Sequence, residues 1–289
     1  METRFLETLL IVVETASIAE TSRRLNITPS AVTQRIKALE SEIGRKLLQR
    51  SGHTMKPTSV TVTLIADAKK ILSLESNLKA AASVGSESGL LRVGVVRAVL
   101  MGVLPDILVR LREKLPDAKV YLTLGRSGDN FSLVVDGRLD AAFIVKPHFA
   151  MPKSLDWMEL RNDPYVLIAP PDMKITNLKS ALRKAPFIRH DRNDWSGRLV
   201  DQYLHKLGIR PREQLESGSV EAIVKLVSHG LGVSIVPDGD PSWPQGATVS
   251  RSPLRDAPHR TIGIIWSRAS PRLPFIRALV SEVSHALSD

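Results

Sequence analysis

The stretch from Ser17 to Lys56 constrains the fold of this chain most, because it predicts two short helices joined by a tight turn. At the start of the second helix, Thr28 can cap the free backbone N–H groups, and Pro29 suits the first helical position. Apolar residues then recur at helical spacing, namely Val32, Ile36, Leu39 and Ile43. Polar residues recur on the opposite side. The pattern therefore predicts a helix with one buried face and one exposed polar face.

The residues around this helix predict a winged helix-turn-helix. Upstream, residues 18–25 form a helical pattern with Ser17 as its cap, and residues 26–28 leave room only for a tight turn. Downstream, residues 47–50 and 54–57 predict two short strands around a turn. Such a pair of strands is typical of a wing that lies on the sugar-phosphate backbone of DNA.

The charge of this segment favours a nucleic acid as its partner. Between Glu20 and Lys56 there are eight basic and three acidic residues, an excess of five positive charges. Phosphate contacts dominate the affinity of proteins for DNA, so this excess favours DNA. The alternative is an ordinary helical bundle whose polar face is merely solvated.

The exposed face of the second helix carries small donors, an amide and a cation, which suit the floor of a DNA major groove. We expect base contacts from Ser30, Thr33, Gln34 and Lys37, with Ala31 available for a thymine methyl group. We expect phosphate contacts from Arg35, Arg50, His53 and Lys56.

This segment resembles the DNA-binding domain of the LysR-type transcriptional regulators. The similarity is strongest in residues 30–40 (SAVTQRIKALE), Gly44 and residues 47–50, and the order of elements resembles that of the family along nearly the full length. The chain departs from the family pattern at 21–22, where threonine and serine replace two alanines. It departs again in the segment 59–61, where two hydroxyl residues replace an acidic residue and a glycine.

The resemblance implies a bacterial regulator of transcription that binds specific DNA sequences and responds to a small-molecule effector. It implies an α+β multidomain fold with an N-terminal winged helix-turn-helix, a long linker helix and a C-terminal two-lobed α/β effector domain. That effector domain has the fold of periplasmic solute-binding proteins. The implied partners are double-stranded DNA, the effector and further copies of the chain in a homodimer or homotetramer, with RNA polymerase as another candidate.

Composition sets the outer bounds. The chain has 289 residues, a net charge of +10 and no cysteine, which excludes disulfides, thiolate metal sites and cysteine nucleophiles. A basic protein can also bind membranes or acidic proteins. No signal peptide or membrane-spanning run is evident, so we expect a cytoplasmic protein without a membrane partner.

Residues 58–83 predict one long helix. Apolar side chains fall near coiled-coil spacing at Leu64, Ala68, Ile71, Leu78 and Ala82. Such a helix usually pairs with a copy of itself, and the alternative is that it packs on its own body. Residues 84–89 are rich in Gly and Ser and predict a hinge.

These patterns divide the chain into three parts, with a DNA-binding domain at 1–58, a linker helix and hinge at 59–89, and an effector domain at 90–289. Strands and helices alternate in the last part, which predicts a parallel α/β sheet. We expect lobe I at about 90–161 and 266–289, and lobe II at about 162–265.

A ligand of such a fold binds between the lobes, at the carboxyl ends of strands. Candidate effector-binding residues by this placement are Arg97, Ala98, Val99, Lys146, Arg189, His190, Arg192, Trp195 and Ser219. The family often holds an effector carboxylate with a serine or threonine where this chain has Val96 and Ala98. The arginines and the lysine could bind an acid, and the tryptophan could stack, so we expect an anionic or aromatic effector. The alternative is that these cations lie on solvated rims.

Enzymatic chemistry finds little support in the sequence. No nucleophile elbow, phosphate-binding loop or zinc-protease motif occurs, and the seven histidines are scattered. His190 and Asp191 are the nearest approach to an acid–base pair, but neighbours in a strand point to opposite faces. We therefore expect no catalysis, cofactor or metal.

Two alternatives to an effector-responsive regulator remain. The first is a DNA-binding protein whose lobes serve only oligomerisation. The second is a solute-binding or catalytic protein with an incidental basic head.

Overall fold

The structure is a computed structural model, and it describes residues 1–52, 54–82 and 90–286. The chain divides into two compact units, residues 1–85 and 86–289. His53 and the predicted hinge at 84–89 lie outside the described residues.

The first unit contains the predicted helix-turn-helix and wing. Its elements are α1 (Thr3–Thr15), α2 (Ile18–Leu25), α3 (Pro29–Ile43), β1 (Leu48–Ser51), β2 (Thr54–Pro57) and α4 (Ser59–Ala82). The Ser17 hydroxyl accepts the N–H of Glu20, and the Thr28 hydroxyl accepts the N–H of Ala31, so both predicted caps are confirmed. Asn26 ends α2 in the left-handed region with φ of 52°, which makes the tight turn possible.

The core of this unit lies between α1 and one face of α3. Val32 and Leu39 are fully buried on α3 and belong to one cluster with Leu9 and Val12 of α1. The small Thr21 and Ser22 of α2 are also buried. Burying one face of α3 in this way leaves its opposite face at the surface.

A single carboxylate joins the end of α3 to the wing. One oxygen of Glu40 accepts the N–H groups of Leu47 and Leu48 at 2.9 and 3.3 Å, and the other lies 2.9 Å from Nζ of Lys46. Burial by itself would raise the pKa of Glu40, but these hydrogen bonds outweigh it and hold the pKa below its ordinary value.

The long helix α4 confirms the prediction of a helix over this region. Its first half packs on its own unit, since Ala68 is buried and Leu64 and Ile71 pack against the same core. Leu74 and Leu78 further along are exposed by 60% and 73%. The predicted apolar seam is therefore divided between an inner half and an exposed half, and the side chain of Ala82 lies outside the described part.

The second unit is a mixed α/β domain. Its strands are β3 (Leu90–Val95), β4 (Lys119–Leu124), β5 (Ala141–Val145), β6 (Leu155–Ala169), β7 (Pro186–His190), β8 (Arg212–Ser217), β9 (Ser234–Pro237), β10 (Ser250–Pro253) and β11 (His259–Ser267). Its helices are α5 (Arg97–Leu100), α6 (Leu104–Lys114), α7 (Ser127–Val135), α8 (Leu178–Lys184), α9 (Trp195–Lys206), α10 (Val220–Ser228) and α11 (Leu273–His285).

The sheet differs from the predicted parallel one. Strands β10, β6, β11, β5, β3 and β4 lie side by side in that order, and β9 also pairs with β6. Among the described strands, β3 runs parallel to β4 and to β5, and β7 runs parallel to β8 in a separate pair. The pairs made by β6 and β11 are antiparallel. The alternation of strands and helices in the sequence does not reveal that β6 and β11 run antiparallel to their neighbours.

Strand β6 links the two lobes. It has 15 residues, and it pairs with β11 along residues 155–164 and with β9 and β10 beyond them. Charged residues and Pro164 interrupt the apolar run before residue 165, so the sequence pattern does not reveal the full length of this strand.

The division between the lobes also differs from the prediction. Residues 262–266 of β11 pair with β5, and Ile262, Ile264 and Ile265 are buried in the core of lobe I. The predicted boundary placed most of this strand in lobe II. The lobe to which β11 belongs is decided by its pairing with β5, more than a hundred residues earlier in the chain. A local sequence pattern carries no information about such a pairing.

We expect Glu40→Gln to loosen the junction between α3 and the wing. The amide keeps the size of the side chain but loses the charge that strengthens its hydrogen bonds, so protection of the amides of Leu47 and Leu48 against hydrogen exchange should fall by about 1.5–3 kcal/mol. Because folding lowers the pKa of Glu40, this stabilisation is present above its ordinary pKa of 4.5 and is lost as pH falls through the lowered value.

The matched control is Glu7→Gln, at an exposed position on α1. Equal effects of the two substitutions on the exchange of Leu47 and Leu48 would contradict the assigned role of Glu40.

Candidate DNA interface and ligand cleft

The polar face of α3 is exposed. Ser30, Thr33, Gln34 and Lys37 all lie at the surface, and Ala31 is half-buried. The hydroxyl of Thr33 donates to the carbonyl of Pro29, and the hydroxyls of Ser30 and Thr28 lie 2.9 Å apart. Gln34 and Lys37 make no side-chain hydrogen bond or ion pair with any described residue, so their polar groups are free to bind a partner.

Most cations between residues 20 and 56 fall into two groups. Arg23, Arg24 and Lys46 form ion pairs with Glu20, Glu14 and Glu40 at 2.6, 2.7 and 2.9 Å. The other group is exposed and has no acidic partner among the described residues. Its members are Lys37, Arg45, Arg50 and Lys56. Helix α3, the turn after it and the wing therefore carry positive charge that no described acidic residue neutralises.

Two of the predicted phosphate contacts have internal partners. Arg35 is half-buried and donates to the Thr8 hydroxyl at 3.3 Å, which fixes part of its guanidinium group. Arg50 donates through Nε to the carbonyl of Gly52 at 3.1 Å, within the wing turn. Arg45 was not among the predicted contacts, although its exposure just before the wing makes it an equal candidate.

The second unit contains a cavity of about 240 Å³ between its lobes. Residues at the carboxyl ends of β3, β4 and β5 contribute one side, and residues of lobe II and β11 the other. The lining residues are Val96, Arg97, Ala98, Leu124, Gly125, Arg126, Ser127, Val145, His190, Asp194, Ser196, Gly218, Ser219, Val220, Asp240, Ser242, Arg260 and Ile262. This is the position at which α/β folds bind ligands.

Four of the predicted effector-binding residues line this cavity, namely Arg97, Ala98, His190 and Ser219. The others do not line it. Val99 is fully buried in the core of lobe I, and Lys146 is an exposed residue at the end of β5. Each of them directly follows a residue that lines the cavity, Ala98 and Val145 respectively, but its own side chain does not line the cavity.

Arg189 and Arg192 are occupied on another side of lobe II. Both form ion pairs with Asp201 of α9 and Glu213 of β8. Alternation along β7 turns Arg189 away from the side that His190 faces. Arg189 instead lines a separate cavity of about 580 Å³.

Trp195 belongs to an aromatic cluster that joins the lobes. Its ring centroid lies 5.7 Å from those of Phe131 and Phe149, and 6.2 Å from that of His148. A side chain at Gly128 would approach the indole nitrogen to 3.3 Å. The tryptophan therefore packs on lobe I, and it is not free to stack on a ligand as predicted.

An ion pair joins the lobes at the cavity wall. Arg126, at the start of α7, lies 2.7 Å from Asp191, at the end of β7. Asp191 was predicted to face away from His190, and its carboxylate accordingly pairs with Arg126 while His190 lines the cavity. Arg126 was not among the predicted residues, since the sequence shows no link between these two positions.

A buried charge cluster forms the floor of the site. Arg260 is 4% exposed, donates through Nε and Nη2 to Asp163 at 3.0 and 2.5 Å, and lies 2.7 Å from Asp240. Burial alone would raise the pKa of Asp240, but the charge of Arg260 and hydrogen bonds from Ser242 lower it. Both partners are therefore charged at neutral pH, and the cluster ties β6 and β11 to lobe II.

His190 is the most unusual polar group in the cavity. It is 4% exposed, and its Nδ1 has no hydrogen-bond partner. Burial lowers the pKa of His190 below its ordinary value, against the opposing charge of Asp194. The imidazole is therefore neutral at neutral pH.

The start of α7 adds a partial positive charge. No described side chain caps this nine-residue helix, and Arg126 and Ser127 at its start line the cavity. The starts of α9 and α10 are capped by Asp194 and Ser219, which also line the cavity.

Two features are absent from the described residues. None of the helices there has the length and apolar character that crossing a membrane would require. Nor do histidine, aspartate and glutamate side chains in that part of the chain gather into a group of three that could hold a metal ion.

Comparison with known proteins identifies both units. Residues 3–60 match the bacterial regulatory helix-turn-helix proteins of the lysR family, and residues 85–288 match the LysR substrate binding domain. The HTH-type transcriptional regulator YnfL of Escherichia coli is 29% identical over 247 residues, covering 82% of each chain. The regulator YwqM of Bacillus subtilis is 30% identical over 246 residues, covering 82% of this chain and 83% of its own.

A solved structure has the same fold. Full-length CbnR complexed with the target DNA superimposes with a TM-score of 0.70 at 21% identity, covering 99% of this chain and 100% of CbnR.

A winged helix-turn-helix unit and a two-lobed unit with a cavity define an effector-responsive, DNA-binding regulator. This chain belongs to the LysR family of bacterial transcriptional regulators. Its relatives are regulators of transcription.

We expect Arg260→Ala to lower the free energy of unfolding of the second unit by about 3–5 kcal/mol, because it leaves two buried carboxylates without their shared cation. All four tryptophans lie in this unit, so urea unfolding followed by tryptophan fluorescence reports on it.

The matched control is Arg268→Ala just beyond β11, where an exposed pair with Asp156 at 2.8 Å should contribute at most about 1 kcal/mol. Similar losses in the two variants would mean that burial adds nothing to the role of Arg260.

Proposed function

We propose that α3 reads base edges in the DNA major groove through Ser30, Thr33, Gln34 and Lys37, with Ala31 against a thymine methyl group. The observation that carries this proposal is the exposed face of α3, on which Gln34 and Lys37 have free polar groups. An amide suits adenine, and a lysine suits guanine.

The phosphate contacts are assigned to Arg35, Arg50 and Lys56 and, from the sequence alone, to His53. These residues would position the protein on the duplex, and Arg45 joins them because it is exposed and forms no ion pair with a described residue. These contacts would supply most of the affinity but little of the sequence preference.

The protein binds DNA as an oligomer in this proposal. We assign residues 1–58 to DNA binding, 59–89 to the linker and 90–289 to effector binding. The exposed Leu74 and Leu78 of α4 support pairing with a second copy of the chain. A dimer would place two copies of α3 in successive major grooves, and a tetramer would join two such dimers.

The cavity between the lobes is the proposed effector site, and binding there would change how the DNA-binding units are arranged. Its ligand-sized volume and converging polar groups support this over lobes that serve only oligomerisation. We infer no catalytic role, and RNA polymerase is the candidate partner through which transcription would respond. A bacterial regulator that binds the chromosome would act in the cytoplasm, and we assign the protein to that compartment.

The test is footprinting of the full-length protein on the DNA upstream of its own gene. We expect Gln34→Ala to lose roughly tenfold or more of the preference for the protected site over random DNA, which corresponds to one lost base contact. Gln214→Ala, exposed on β8 of the second unit, should bind like the unchanged protein. Identical protection by both variants would refute readout by Gln34.

Lys56→Ala should behave differently from Gln34→Ala. Because it removes a phosphate contact, we expect weaker binding to all sequences alike and a salt dependence that is shallower by about one counterion. Titrations at several salt concentrations measure this slope. A change in sequence preference instead would place Lys56 at a base.

A further inference from the structure

We propose that the effector is a zwitterion, an α-amino acid with a small aliphatic side chain, held with its carboxylate on lobe I and its ammonium group on lobe II. This inference rests on the proposed ligand role of the cleft and names the chemical class that the cavity accepts.

The free polar groups of lobe I favour a carboxylate. Arg97 begins α5, lines the cavity and is exposed, and it forms no ion pair with any described residue. The start of α7, where Arg126 and Ser127 line the same cavity, has no side-chain cap among the described residues, so its N–H groups also favour negative charge. The remaining cations of the cavity are neutralised, Arg126 by Asp191 and Arg260 by Asp163 and Asp240.

Lobe II contributes a carboxylate to the cavity, that of Asp194. Nδ1 of His190 has no hydrogen-bond partner among the described residues, but it is also buried away from the cavity, so we do not assign it as the acceptor.

Asp194 supplies the acceptor on this side. Its Oδ1 accepts the N–H of Ser196 at 2.8 Å, and its Oδ2 accepts nothing from the described residues. Its side chain belongs to the lining of the cavity. A carboxylate oxygen without a described partner is suited to an ammonium group and would repel a second carboxylate.

The rest of the lining favours a side chain with an apolar end. Apolar residues from both lobes contribute to the wall, among them Val96, Leu124, Val220 and Ile262. The apolar ends of leucine, isoleucine and valine match this part of the wall.

The experiment is calorimetric titration of the full-length protein with L-leucine, L-isoleucine and L-valine. Two further ligands keep the side chain of leucine but lack one charged group, namely 4-methylpentanoate without the amine and 3-methylbutylamine without the carboxylate. We expect at least one amino acid to bind, and leucine to bind about tenfold or more tightly than either analogue. Equal binding of 4-methylpentanoate and leucine would overturn the proposal in favour of a simple acid.

Variants assign the two ends. Arg97→Gln should weaken the amino acid and the acid alike by about tenfold, and Asp194→Asn should weaken only ligands that carry the amine, since asparagine still caps α9. Lys146→Gln, exposed and outside the cavity, is the control and should change neither. Loss of both ligands in Asp194→Asn, or of neither, would overturn the assignment.

The DNA experiment keeps this proposal separate from the proposed function. Specific footprinting without binding of any of the three amino acids would overturn the ligand class and leave the regulator intact. Amino-acid binding without specific footprinting would support the ligand class and refute the DNA contacts.

Discussion

The guanidinium group of Arg260 lies buried between the carboxylates of Asp163 and Asp240, where strands β6 and β11 pass from one lobe to the other. Charges held away from water must stay paired, so the three groups keep the two strands and lobe II in one arrangement. The cavity takes its shape from that arrangement, because Asp240 and Arg260 form part of its lining. The pair of Arg126 with Asp191 and the aromatic cluster around Trp195 also join the lobes. The cavity between the lobes is therefore a consequence of how the crossing strands are held.

The first unit applies the same physics on a smaller scale. The half-buried carboxylate of Glu40 receives the first N–H groups of the wing and the ammonium group of Lys46. It thereby sets the wing relative to α3, while Val32 and Leu39 anchor the helix from below. Because α3 is fixed both by its buried face and by its junction with the wing, it presents Gln34 and Lys37 at defined positions on the surface.

Local signals made the first unit predictable. The hydroxyls of Ser17 and Thr28 each accept the backbone N–H of the residue three positions later, and the apolar stripe of α3 lies within fifteen residues. The second unit was predictable only in its elements. The strands β3, β4 and β5 lie where their apolar runs place them, but the antiparallel return of β11 and the length of β6 depend on distant partners. The lining of the cavity was the least predictable feature, because residues that are neighbours in the chain can face different cavities. Arg189 and His190 are such a pair.

The sequence by itself determined the helix-turn-helix, its exposed polar face, the excess of positive charge and the two-lobed family to which the chain belongs. Each of these follows from residues within a turn or two of one another, where capping, helical spacing and charge act without knowledge of the rest of the fold. The tertiary structure alone decided which cations remain free. Arg97 forms no ion pair with a described residue, while Arg126 and Arg260 are neutralised by acids far away in the chain. Since the net charge of a cavity depends on which groups are buried side by side, only the folded chain could distinguish a site for a simple acid from one suited to a zwitterion.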